Sequence, residues 1–159
     1  MTKRAIVGPL FLYLRTITLL TTDNYKRLKS LADEVSHREG CKVYDIDFVG
    51  RANNRTLRVF IQALENGVDI DQCANVSRGL SLLLDVEDII PGGRYDLEVS
   101  SPGLERPLRE AWHFQEALGE MVLVKTKEDI SEDKKRKLKQ LKGKLKSVGD
   151  NHIVLSVGE

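Results

Sequence analysis

The sequence is poor in several residue types, and each shortage excludes a class of protein. Only two cysteines occur, Cys41 and Cys73, and they form no CxxC pair, which argues against a zinc site and a disulfide framework. Aromatic residues make up 6% of the chain and leave little material for stacking nucleobases. The net charge is only +1, so attraction to nucleic acid depends on how the charge is distributed. We expect both cysteines to be buried apolar residues in a reducing cytoplasm.

The N-terminal region has no apolar run long enough to cross a bilayer. The apolar stretch over residues 5–20 follows Lys3 and Arg4 but is interrupted by Arg15, and no small-residue cleavage pattern follows it. We therefore expect residues 1–22 to be a disordered N-terminal extension and not a secretory signal. This pattern predicts a cytoplasmic protein that has no membrane partner.

Motifs of catalysis are also missing. The sequence has no phosphate loop, no GxGxxG and no GxSxG elbow, and its three histidines (His37, His113 and His152) have no partner at metal-ligand spacing. Ser100 and Ser101 are candidate nucleophiles of a hydrolase, although no base lies near them in the sequence. We expect no catalytic activity, no cofactor and no metal site.

Carboxylates cluster after the second predicted helix. Asp85, Glu87 and Asp88 lie close in sequence to Asp96 and Glu98. Such a cluster can bind a divalent metal, but the spacing matches no EF-hand loop. We interpret it as a solvated acidic face, which could also dock a basic protein by charge complementarity.

The hydrophobic pattern predicts an α+β domain over residues 23–99, in the order α-β-β-α-β. The predicted elements are a helix from Asp23 or Asn24, strands over 43–49 and 57–63, a helix capped by Asp69 or Asp71, and a strand over 95–99. A small sheet covered on one face by two helices buries the apolar stripe of each helix.

Residues 100–159 are predicted to form a linker and a second domain. Pro102 and Gly103 stop the preceding strand, and residues 100–108 form the linker. A short helix and three short strands within residues 109–159 predict a small β-barrel. The chain stops at Glu159 just after a strand, so we expect this barrel to lack a strand and to leave an unpaired edge.

A basic run is the densest charge in the sequence. Eight of its thirteen residues are basic and none is acidic: Lys134, Lys135, Arg136, Lys137, Lys139, Lys142, Lys144 and Lys146. Lysine is a flexible point charge that suits phosphate contacts, and the run contains no aromatic residue for base stacking. We interpret the run as an RNA-backbone contact, with a merely solubilising loop as the alternative.

Residues 95–108, with the sequence YDLEVSSPGLERPL, resemble the hallmark segment of the RimP family of ribosome maturation factors. Residues 69–77 and 84–88 resemble the family's second helix and its acidic end. The resemblance implies an α/β N-terminal domain joined to an SH3-like barrel. It also implies binding to the free immature small (30S) ribosomal subunit, near its rRNA and a small-subunit ribosomal protein, without catalysis. Residues 1–22 and a long charged insert around residues 127–142 lie outside the family pattern.

The signature residues of the linker are Ser100, Ser101, Pro102, Gly103, Arg106 and Pro107. The two prolines fix two φ angles, so the linker should restrict the orientation of the domains. We expect Gly103 to adopt a conformation that other residues resist, and Arg106 to contact the carboxylate of Glu98 or Glu105. A monomeric ribosome maturation factor is the leading hypothesis, and a protein-interaction adaptor without RNA contact is the alternative.

Overall fold

The structure is a computed structural model that describes residues 2–5, 20–51, 54–65, 67–125, 139–150 and 152–157. The chain divides into two compact units. Residues 15–106 form one, called here the α/β unit, and residues 1–14 together with 107–159 form the other, called here the β unit. The domain boundaries predicted after residues 22, 99 and 108 stay predictions.

Seven strands and three helices lie in the described part of the chain. In chain order they are β1 (Thr2–Ala5), α1 (Thr22–Arg38), β2 (Cys41–Arg51), β3 (Asn54–Ala63), α2 (Ile70–Glu87), β4 (Asp96–Ser100), α3 (Ala111–Glu116), β5 (Met121–Lys125), β6 (Gln140–Val148) and β7 (Ile153–Ser156).

The α/β unit confirms the predicted α-β-β-α-β order. Its three strands form one sheet in the order β2-β3-β4, in which β2 and β3 are the predicted antiparallel hairpin. Strand β4 runs parallel to β3, because α2 lies between them in the chain and carries it back to the start of the sheet. The α+β class predicted from the sequence is therefore confirmed for this unit.

Both long helices begin with a side-chain cap. Thr21 caps α1, and its Oγ1 accepts a hydrogen bond from the backbone N–H of Asn24 at 3.2 Å. The helix thus begins one or two residues before the position predicted from Asp23 or Asn24. Asp69 caps α2 as predicted, and it forms a capping box with Gln72 that satisfies two otherwise free backbone donors.

The core of the α/β unit joins the two helices to one face of the sheet. Its buried members are Leu28, Leu31, Ala32, Val35, Cys41, Val43, Ile46, Leu57, Val59, Ile61, Ala63, Val76, Leu80, Leu84 and Ile90. The predicted stripes of α1 and α2 supply the helical part of this list. Cys41 is fully buried and Cys73 is half-buried; burial raises the pKa of both thiols above the usual range, and both cysteines are free.

Strand β2 contains a bulge that its sequence pattern hides. The pairing with β3 shifts between Val43 and Asp45, so an extra residue enters the strand. Val43 and Ile46 both join the core although they are three residues apart. Simple alternation would have placed Tyr44, Ile46 and Phe48 on one face. Tyr44 is buried as well, but outside this core cluster.

A buried arginine organises the loop before β4. Arg55 is 3% exposed, and its guanidinium donates to the carbonyls of Pro91 at 2.6 Å, Arg94 at 3.1 and 3.3 Å, and Gly93. Gly92 has a φ of +93°, and a Cβ there would lie 2.9 Å from Nη1 of Arg55. The loop can therefore close around the guanidinium only because residue 92 is glycine.

The β unit is a four-stranded antiparallel sheet in the order β1-β7-β6-β5. Its buried core consists of Ala117, Leu141, Leu145, Ile153 and Leu155. The described strands have a linear order with two open edges, so they do not show a closed SH3-like barrel. No helix in the described residues is long and apolar enough to span a membrane.

The N-terminal segment differs from its expected disorder at residues 2–5. These residues form β1, which pairs with β7 from Thr2 opposite Ser156 to Ala5 opposite Ile153. Strand β1 therefore occupies the edge of β7 that we expected to be unpaired. The sequence pattern could not predict this pairing, because the partner strand lies near the other end of the chain.

Candidate nucleic-acid interface

Strand β6 separates its basic residues from its apolar residues. Leu141, Gly143 and Leu145 are buried, whereas Lys142, Lys144 and Lys146 alternate with them and are exposed. Lys146 lies where the pairing of β6 with β7 shifts by one residue. Successive lysines on one face of a strand lie about 7 Å apart along the chain. Three of the predicted RNA-contacting residues therefore form one line of positive charge.

The rest of the basic run is only partly visible. Lys139 is exposed just before β6. Lys134, Lys135, Arg136 and Lys137 lie outside the described residues. The structure therefore brings together Lys142, Lys144 and Lys146 on one strand face and places Lys139 beside its beginning.

Strand β5 adds residues that the sequence analysis did not include in this site. Met121 pairs with Lys144, and Leu123 pairs with Lys142. Met121 is 60% exposed and Leu123 is 54% exposed, and Lys125 continues the same outward face. Alternation within β5 was visible in the sequence. Its register against β6 was not, because the chain between the two strands carries no turn signal that fixes the pairing.

The outward positions of β5 and β6 form a mixed surface, called here the lysine face. Its described members are Met121, Leu123, Lys125, Gln140, Lys142, Lys144 and Lys146. None is acidic and none is aromatic. Such a surface can attract a polyanion through exposed charges and offer a small apolar contact, but it cannot stack bases on rings.

The two units differ in charge. By sequence, residues 15–106 carry 12 basic and 15 acidic side chains, a formal charge of −3. Residues 1–14 and 107–159 carry 13 basic and nine acidic side chains, a formal charge of +4. The chain's small net charge therefore conceals a separation of charge, and attraction to phosphates is expected at the β unit.

The signature linker begins in β4. Ser100 is the last residue of that strand and pairs with Phe60. Gly103 has a φ of +73°, as expected for the glycine of this segment. In the described part of the chain, neither the Ser100 nor the Ser101 hydroxyl is hydrogen-bonded to a histidine, so the geometry offers the hydrolase reading no assembled base.

Arg106 has a partner other than the one we expected. Its guanidinium lies over the ring of Tyr44, 5.0 Å from the ring centroid, which is a cation–π geometry. Glu98 instead pairs with Arg58, whose Nε lies 2.7 Å from the carboxylate. The sequence suggested a carboxylate for Arg106 because charge is visible in a sequence. Alternation without a bulge would place Tyr44 on the other face of β2.

The acidic residues at the C-terminal end of α2 lie within the helix or at its cap, not after it. Glu87 accepts two hydrogen bonds from Arg27, and this contact lowers the pKa of its carboxyl group. Asp88 ends α2 in a left-handed conformation. Burial raises the pKa of Tyr95, and the nearby carboxylate of Asp85 raises it further. The described residues contain no group of three side chains placed to hold a metal ion.

Comparison with known protein families supports the resemblance that residues 95–108 showed. Residues 31–105 match the RimP N-terminal domain. The match covers the C-terminal half of α1, the whole sheet of the α/β unit, α2 and the first part of the linker. The RimP proteins are ribosome maturation factors and not an enzyme family. The chain therefore carries a RimP N-terminal domain over residues 31–105.

Proposed function

We propose that this chain binds the free immature small (30S) ribosomal subunit and assists its assembly. The observation that carries the proposal is the line of Lys142, Lys144 and Lys146 on β6, in a chain that also carries a RimP N-terminal domain. The partners are small-subunit rRNA and a small-subunit ribosomal protein. The protein acts as a cytoplasmic monomer, and its β unit belongs to an SH3-like barrel.

Lys142, Lys144 and Lys146 contact the RNA backbone in this proposal. Their spacing along one strand presents successive ammonium groups to successive phosphates, and lysine is a point charge that needs no fixed orientation. Phosphate contacts carry no base information, so binding depends on the shape and charge of the RNA. In this proposal the contact extends along the segment that precedes β6 in the sequence, through Lys134, Lys135, Arg136, Lys137 and Lys139.

The protein-interaction adaptor is the second candidate. The exposed apolar side chains of Met121 and Leu123 favour it, because they lie on the edge strand β5 opposite Lys144 and Lys142 of the lysine face. In that case the lysines keep the surface soluble, and the partner is a protein with an apolar patch.

Salt dependence separates the two functions. Changing Lys142, Lys144 and Lys146 to glutamine should weaken binding to free small subunits at low salt. It should also flatten the plot of log K against log salt by roughly 2, since each lost phosphate contact removes about 0.7–0.9 from the slope. If the protein is an adaptor without RNA contact, the slope of log K against log salt should not change.

A matched control removes the same charge from the α/β unit. Lys26, Arg78 and Arg94 are exposed, and their change to glutamine should leave affinity and salt slope nearly unaltered. Both variants should keep the melting temperature of the parent protein, because exposed charges contribute little to stability. The proposal fails if the two triple variants behave alike, or if the parent protein co-sediments with large subunits as well as with small ones.

A further inference from the structure

The α/β unit has a free strand edge beside a groove. Strand β4 pairs with β3 on one side, and no other described strand pairs with it. A groove of about 500 Å³ runs between β4 and α2. Its walls include Ile70, Cys73, Ala74 and Ser77 from one stripe of α2, and Leu97 and Val99 from β4. The edge thus offers backbone donors and acceptors next to apolar and small side chains.

An exposed isoleucine marks one end of this groove. Ile70 is the first residue of α2 and is 86% exposed, which leaves nearly its whole apolar side chain in water. The capping box of Asp69 and Gln72 fixes the start of the helix and so fixes the position of Ile70. A side chain from an added strand could cover Ile70 while the strand's backbone pairs with β4.

The charges around the groove select the partner. Asp69 and Asp71 flank Ile70, and Asp96 and Glu98 are exposed on β4. Among the described residues, Arg58 of β3 pairs with Glu98, and Arg78 lies on α2. Carboxylates outnumber cations, and the α/β unit as a whole carries a formal charge of −3. This balance repels RNA phosphates and attracts lysine or arginine side chains.

A second copy of the chain is a poor occupant. Antiparallel pairing of two β4 strands centred on Glu98 would place Glu98 opposite Glu98, and like charges directly opposite each other destabilise a sheet. Asp96 and Glu98 therefore discourage self-association at the same edge that would accept a basic strand.

We infer that the β4 edge and its groove bind an extended, basic segment of a partner protein, which adds to the sheet as a fourth strand. Backbone hydrogen bonds to β4 supply affinity, and the groove and the carboxylates select an alternating apolar and basic sequence. This inference goes beyond the proposed RNA contact and does not depend on it.

A peptide of alternating lysine and valine tests the inference on the full chain. Labelled peptide should bind, and amide resonances of residues 96–100 and 70–77 should shift. The same peptide with alternate backbone nitrogens methylated should lose most of its affinity, because it keeps its charge but cannot pair along its edge. Equal binding by the methylated peptide would overturn strand addition. Absence of binding would mean that Asp96 and Glu98 only protect the edge, and shifts caused by an RNA oligomer in place of the peptide would also refute the inference.

Two exposed apolar residues of α2 give a matched pair of variants. Ile70→Ser should weaken the peptide about tenfold, the size expected when a largely buried isoleucine contact is lost. Leu82→Ser removes a 69% exposed side chain of the same helix that is not among the groove residues, and it should leave peptide affinity unchanged. Equal effects of the two changes would place the peptide elsewhere.

The charge requirement is tested separately. Glu98→Gln should weaken the lysine peptide about two- to fivefold at low salt, with the difference vanishing at high salt. The triple change of Lys142, Lys144 and Lys146 should leave peptide binding intact, and Ile70→Ser should leave the salt slope of small-subunit binding intact. Failure of the strand-addition inference is thus distinguishable from failure of the proposed function.

Discussion

The α/β unit and the β unit differ in how much apolar core supports their sheets. The α/β unit surrounds one face of its sheet with two helices, and 15 buried residues form its core. Among the described residues, the β unit has a sheet, one short helix and a core cluster of five buried apolar residues. Because apolar burial is the main favourable term in folding, the α/β unit should be the more stable of the two. The outer surfaces differ too, since one is acidic overall and the other carries the lysine face.

The largest expected effect compares the two cores directly. Leu80 of α2 and Leu155 of β7 are both fully buried, and truncation of either to alanine should cost about 2–5 kcal/mol. In the α/β unit this loss should lower the unfolding midpoint but leave a cooperative transition. In the β unit the same loss should abolish the folded state, since its core cluster has five described members and that of the α/β unit has 15.

Trp112, the only tryptophan, lies in the β unit and reports on it selectively. Urea titrations followed by its fluorescence and by far-ultraviolet circular dichroism should therefore separate the two transitions in each variant. If the two units lost the same amount of stability after their leucine-to-alanine changes, the prediction from core size would be wrong.

The next effect concerns what holds the loop before β4. Changing Arg55 to methionine removes four hydrogen bonds that its buried, charged guanidinium donates to loop carbonyls, so it should cost about 3 kcal/mol. Arg58→Met is the control: Arg58 lies on the same strand but is about half exposed, and its loss should cost less than about 1 kcal/mol. Denaturant midpoints of the two variants decide the matter, and similar midpoints would show that Arg55 does not organise the loop.

The smallest effect is the surface ion pair between the two helices. Hydrogen bonding from Arg27 lowers the pKa of Glu87, so the ionised carboxyl is favoured in the folded state. The resulting stabilisation is present above the ordinary pKa of a glutamate and is lost as pH falls through the lowered value. In the Arg27→Gln variant, the pKa of Glu87 should return toward the usual range, as measured by carbon-detected NMR titration. An unchanged pKa of Glu87 would show that Arg27 does not stabilise its ionised carboxyl group.

In the linker, one expectation from the sequence is confirmed and another is wrong. Gly103 was expected in a special conformation because glycine beside proline is a turn signal, and its positive φ confirms this. The partner of Arg106 was not predictable in the same way. A bulge in β2 moves Tyr44 to the face that Arg106 reaches, and a bulge depends on pairing with β3.

The sequence alone determined the α-β-β-α-β order, the cap of α2, the apolar stripes of both helices, the basic run and the family signature. Each of these depends on residues that are neighbours along the chain, so local periodicity and capping chemistry suffice to predict them. The tertiary structure alone decided which strand edges are occupied. Three features join residues that are far apart in sequence: the pairing of β1 with β7, the parallel pairing of β4 with β3, and the register that places Met121 and Leu123 beside the lysines. Such contacts are selected by the packing of complete sheets and not by local preference, which is why no pattern in the sequence shows them.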